Sequence, residues 1–156
     1  MKMSKNLWVL VGLLVALTAA GLMSTEHSER REMNAITEVV KASYLHGAFN
    51  ELNPDAMAKG FHEDFAIFSA KGSDLNRYEI EDWVAGVRKR KENPDFDPAQ
   101  NQWDYKFAVV DVTGGAAQVK VELSREGQLV FTDYLSLLKF EEEGWRIVAK
   151  VYHRHS

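Results

Sequence analysis

The stretch Val130–Lys139, VFTDYLSLLK, has the two-residue rhythm of a strand, yet it sets a carboxylate, Asp133, between Phe131 and Leu135. Phe131, Asp133, Leu135 and Leu137 fall on one face of such a strand, which is the face a core would claim. A carboxylate buried there without a partner is costly or takes up a proton. Asp133 therefore has a structural counter-charge or serves a ligand.

Reading outward, Glu126-Gly127 precedes this strand as a tight turn and Glu141 to Gly144 follows it as a longer one. Gly114-Gly115 makes another two-residue hairpin turn further upstream. The spacing predicts strands over Gln102–Thr113, Ala116–Arg125, Gln128–Phe140 and Trp145–His153. Ahead of this meander the period changes. Met33, Ile36, Val39, Val40, Ser43, Tyr44 and Gly47 recur at helical steps and predict a helix from about Ser28 to Gly47. Asn53-Pro54 starts a short second helix that Gly60 closes, and Ile80, Trp83, Val84 and Val87 form the inner face of a third. Asp64 to Ser69 reads as a strand between them, and the Asn93–Pro98 segment, NPDFDP, breaks the chain before the meander. Helices first and strands afterwards predict an α+β domain, with about three N-terminal helices packed on a curved antiparallel sheet and a cavity between the layers.

The order of elements carries a resemblance. Tyr44-x-x-Gly47 ends the long helix, Phe61-His62-x-Asp64 leads into the first strand, and Ala117-x-Val119-Lys120-Val121 lies in the meander. Asp133-Tyr134-Leu135-x-Leu137-Leu138-Lys139 and Trp145-Arg146-Ile147-Val148-x-Lys150-Val151-Tyr152-His153 complete the pattern. In these motifs the chain resembles the nuclear-transport-factor-2-like, or SnoaL-like, superfamily, and within it the branch described as "putative lumazine-binding". The resemblance spans about Glu29 to His153. It implies a cystatin-like α+β cone, a cavity whose wall carries acids in the isomerase and cyclase members, and dimerisation through the sheet. That superfold hosts isomerases, cyclases, dehydratases and plain binding modules, so fold alone names no reaction.

The 156 residues, 46% hydrophobic and 11% aromatic, suffice for one core. Lys2 and Lys5 precede the apolar run LWVLVGLLVALTAAGLM, a signal-peptide layout over residues 1–23 with small residues at its end. Export to a periplasmic or extracellular space is expected, with the domain over residues 24–156; the alternative is an uncleaved membrane anchor over residues 7–23. The absence of cysteine excludes a disulfide framework. Loss of Lys2 and Lys5 leaves 17 basic against 23 acidic residues, net −6, which argues against a nucleic-acid partner. The one basic cluster, Arg88 to Lys91, sits where the third helix ends and where cations favour the helix dipole.

Hairpin register brings the candidate site together. With Lys139 opposite Trp145, Asp133 faces Val151 and lies diagonal to His153; slipped by one residue, it faces Tyr152, with Lys150 opposite Leu135. The candidates for chemistry are accordingly Asp133, as a general base, and His153. Tyr44, Phe61, His62, Trp83, Lys150 and Tyr152 are the candidates to line a cavity. His62-x-Asp64 lacks the third ligand a metal site needs, and no phosphate loop, dinucleotide fingerprint or zinc spacing occurs, so neither metal nor cofactor is expected. Three readings follow. One is an exported binding protein for a small hydrophobic or cyclic molecule; another is an isomerase, cyclase or dehydratase that uses Asp133. A third is a non-catalytic dimeric scaffold. In simple alternation Trp103, Tyr105 and Phe107 face away from the helices, predicting a homodimer that covers them.

Overall fold

The computed structural model describes residues 26–156, so the segment expected to be a signal or anchor lies outside the described residues. Three helices pack on a six-stranded sheet. The first, α1, is α-helical over residues 26–39 and continues as a π-helix over Val40–Asn50, in which the Glu51 N–H reaches back five residues to the His46 carbonyl at 2.8 Å. Such wide winding is uncommon and is found at functional sites. Here it buries Val40, Ser43, Tyr44, Leu45, Gly47 and Ala48 together, a broader face than a regular stripe would bury.

Asn53 caps α2 (Pro54–Gly60) by accepting the Ala56 N–H at 3.2 Å, with Pro54 in the first turn as the sequence suggested. The helix meets α1 at very close range. A Cβ on Gly60 would lie 2.1 Å from Ser43 Oγ. Strand β1 (Phe61–Lys71) follows without a gap, turns at Gly72 (φ 64°), and pairs with β2 (Asp74–Glu79). That second strand carries no sequence signal, because five of its six residues are exposed and no apolar alternation marks it. Helix α3 (Ile80–Lys91) and the 92–103 linker then carry the chain to the far edge of the sheet.

The meander returns from that edge as β3 (Asp104–Thr113), β4 (Ala116–Arg125), β5 (Gln128–Phe140) and β6 (Gly144–Arg154), giving the order β2-β1-β6-β5-β4-β3. Because it builds back from the far edge, its last strand arrives beside β1 and runs parallel to it. The sheet is therefore mixed, where the sequence suggested a wholly antiparallel one.

Two β-bulges decide which side chains face the helices. In β3 the register shifts at Ala108: Val110 pairs with Val119, but Phe107 pairs with Val121 and Tyr105 with Leu123. Val121 and Leu123 are core residues, so Tyr105 and Phe107 turn inward, and Trp103 packs against the same core. The expectation that these three aromatics cover an interface on the outer face is corrected by that one-residue insertion. Val109, Tyr134, Leu138 and Val151 are exposed instead. In β6 the shift falls at Val148: Leu137 still pairs with Ile147, but Leu135 pairs with Lys150 and Asp133 with Tyr152.

The contact at Gly60 gives a test of this packing. Gly60→Ala forces α2 off α1 and should destabilise the fold by about 1–3 kcal/mol, whereas the paired change Gly60→Ala with Ser43→Gly should recover much of the loss. Chemical denaturation of the three proteins measures it.

Candidate functional site

Six side chains meet on the inner face of the sheet. β5 supplies Asp133; β6 supplies Lys150 and Tyr152, brought to that face by the Val148 bulge; the π-helical part of α1 supplies Tyr44 and Phe49; α3 supplies Trp83. Asp133 and Tyr44 are 0% exposed and Lys150 is 5% exposed. The Tyr44 hydroxyl donates a short hydrogen bond to Asp133 Oδ2, and Lys150 Nζ donates to the Tyr44 hydroxyl at 2.7 Å. Nζ also stands 3.1 Å from Asp133 Oδ1 as an ion pair, although Oδ1 accepts no hydrogen bond.

The ammonium is enclosed by aromatic rings. It lies 5.0 Å from the ring centre of Tyr152, 5.1 Å from Tyr44, 5.6 Å from Phe49 and 5.7 Å from Trp83, all within cation–π range. Burial lowers the Lys150 pKa from its usual 10.5, with the Asp133 charge beside it opposing that shift. Burial also raises the Tyr44 phenol well above 10.0, and the adjacent carboxylate pushes it the same way. The expected hollow is occupied at this depth, because Tyr44, Phe49 and Trp83 fill the space around Nζ.

Towards solvent the aromatics form a rim. Phe49 packs edge-on against Trp103 at 5.5 Å, Trp103 stacks on Phe131 at 6.0 Å, and Phe131 meets Tyr152 at 6.0 Å. Phe49, Trp83, Trp103 and Phe131 are half-buried and Tyr152 is 42% exposed, so Lys150 lies one ring's thickness below the surface. Asn50 holds the rim in place: its side chain accepts the Trp103 N–H at 2.8 Å and donates to the Trp103 carbonyl at 3.2 Å.

A family model described as "Putative lumazine-binding" matches residues 31–153. The chain belongs to that family. Among solved structures, the chain is similar to an NTF2-like protein of unknown function from Shewanella baltica OS155, at 26% identity, covering 81% of this chain and 95% of that one, TM-score 0.63. It is also similar to an NTF2-like protein of unknown function from Methylobacillus flagellatus KT, at 27% identity, covering 81% and 94%, TM-score 0.59. A ketosteroid isomerase-like protein from Erwinia carotovora atroseptica SCRI1043 shares the fold at 14% identity, covering 80% and 97%, TM-score 0.57. A search of curated proteins finds no match. The chain thus has the NTF2-like α+β fold.

Of the residues singled out in the sequence, Asp133, Tyr44, Trp83, Lys150 and Tyr152 converge. Phe61 supports them from below, 5.5 Å edge-on from Trp83. His62 stands apart, stacked on Phe140 at 4.8 Å, with its Nδ1 accepting the Asp64 N–H at 3.1 Å. It lines a separate groove of about 480 Å³ between α2, α3 and β1, with Phe61, Ile80 and Val84. His153 does not join Asp133. The bulge pairs it with Thr132, on the opposite face of the sheet from Asp133, where it is exposed beside His155. Phe49 gave no warning in the sequence, since it joins the site only through the π-helical winding of α1.

The ion pair sets two expectations. Asp133→Asn leaves a buried ammonium without its counter-charge and should destabilise the fold by about 3–5 kcal/mol; combining it with Lys150→Met should cost less than the sum of the single changes, as a double-mutant cycle by denaturation would measure. The second concerns alkaline pH. With its pKa raised, Tyr44 retains in the folded state a proton that the unfolded chain releases, so its contribution to stability is intact below pH 10.0 and is lost as pH rises above it. Lys150 has the opposite sign, since its depressed pKa lets stability rise as pH approaches 10.5. The phenolate absorbance of the five tyrosines should accordingly reach full amplitude only on unfolding, and Tyr44→Phe should remove that late step.

Proposed function

We propose that this protein binds a small, planar, ring-bearing molecule at the aromatic rim, with an acceptor group of the ligand directed at Lys150. One observation carries the reading: a lysine ammonium enclosed by Tyr44, Phe49, Trp83 and Tyr152, three of which reach the surface. Ring stacking supplies affinity in such a setting, and a few polar groups supply orientation. Lumazine, the molecule in the family's description, is planar and rich in carbonyl acceptors, which makes it the natural first probe. Residues 1–23 have the layout of a signal for export, so the binding would take place in the periplasm or outside the cell.

An isomerase-type activity with Asp133 as general base is the second reading. It is favoured by Asp133 Oδ1, whose one polar contact is the Lys150 ammonium 3.1 Å away. The two readings share a ligand position and differ in turnover.

Titration with lumazine should quench the emission of Trp83 and Trp103 saturably, and Lys150→Met should weaken that binding by about tenfold or more through loss of a charged donor. Quenching that stays linear with lumazine and with other flat ring compounds would overturn the binding reading.

A further inference from the structure

Lys150 is the one buried lysine among the described residues, and its surroundings serve more than charge balance. Its two polar neighbours are a carboxylate oxygen without a hydrogen bond, 3.1 Å away, and a hydroxyl 2.7 Å away that is itself bonded to the other oxygen of the same carboxylate. An amine, a proton acceptor and a hydroxyl relay in mutual contact are the groups that condensation with a carbonyl compound requires.

We propose that Lys150 forms an imine with a neutral, apolar aldehyde or ketone that reaches Nζ from the rim by displacing the ring of Tyr152, which is 42% exposed. This rests on the binding reading, because the carbonyl compound occupies the same position. The ammonium first gives a proton to Asp133 Oδ1. The free amine then attacks the carbonyl carbon, forming the C–N bond while the carbonyl oxygen takes up a proton through Tyr44. The nitrogen sheds a proton that passes to the resulting hydroxyl, which leaves as water, and a protonated imine remains on Nζ. The balance is one carbonyl compound and one ammonium in, one iminium and one water out, with no redox partner and no change in charge. Burial supports the first transfer by disfavouring the ammonium. The rings at 5.0 to 5.7 Å then face a cation at both ends of the sequence, so the iminium inherits the enclosure that holds the ammonium. Neutral substrates are specified because Asp133 lies beside the reacting nitrogen and repels a carboxylate such as that of a 2-oxo acid.

Reductive trapping tests this. The protein is incubated with benzaldehyde and cyanoborohydride near neutral pH, digested, and the benzyl increment on each lysine is followed by mass spectrometry. Lys150 should be labelled at least about tenfold faster than surface lysines such as Lys41 and Lys106, as expected for a desolvated amine. Tyr44→Phe should slow Lys150 alone by about a hundredfold, the scale of a lost proton relay, and the labelling of wild-type protein stands as a test even if that variant fails to fold. Tryptophan quenching by benzaldehyde without reductant reports binding separately. Saturable quenching with label confined to surface lysines overturns the imine and leaves the binding reading standing; the absence of both quenching and Lys150 label overturns the two together.

Discussion

An ammonium and a carboxylate have been taken out of water together in the middle of an aromatic core, and much of the arrangement around them follows from that. Each ion loses several kcal/mol of hydration on burial, which their mutual attraction recovers only with close geometry and further polar partners. Tyr44 is the further partner, bridging Lys150 Nζ and Asp133 Oδ2. The rings of Phe49, Trp83 and Tyr152 replace part of the lost hydration of the ammonium with their negative faces. The triad links β5, β6 and α1, elements far apart in the chain, so the layers cannot slide past one another without separating charges.

That requirement explains the irregular features of the backbone. A regular α-helix through residues 40–50 would not put Tyr44 and Phe49 on the same inward surface as Ser43, which meets α2 at Gly60. Wider winding does so, and Leu52 with φ 48° then ends the helix abruptly, a conformation uncommon for a residue with a side chain and held here by full burial. Asn50 next clasps the backbone of Trp103, so the end of α1 and the start of β3 share one rim. The glutamate at position 32 plays the corresponding part at the far end, accepting from Lys139 Nζ and Trp145 Nε1 at 2.7 Å each and thereby tying α1 to the β5–β6 hairpin.

Most of this fold could be read from spacing alone, because turns are written in residue types. Gly114-Gly115, Glu126-Gly127 and Asn53-Pro54 fall where the structure turns or starts a helix, and the first and third helices and the meander follow from apolar period. Strand β2 stayed hidden since it is exposed and has no inner face to mark it. The site was legible as a list of residues but not as an arrangement. Both registers weighed for the last hairpin occur, one between its turn and Leu137, the other beyond Ser136. No residue type announces a bulge, so the choice between His153 and Lys150 as the neighbour of Asp133 was not written in the composition of the strand. Ala108 hid the inward turn of Tyr105 and Phe107 in the same way.

Val148 therefore holds more information than its side chain suggests. Every residue of β6 beyond it owes its side of the sheet to the presence of one additional backbone unit, not to its own chemistry. Deleting a single codon there would leave Lys150, Tyr152 and His153 unaltered as amino acids while exchanging the surfaces they serve, sending the lysine to water and the histidine inward. Among related genes, a gap of one position in this strand would thus mark a change of chemistry that residue-by-residue comparison passes over, and two proteins with the same apparent motif could carry opposite interiors.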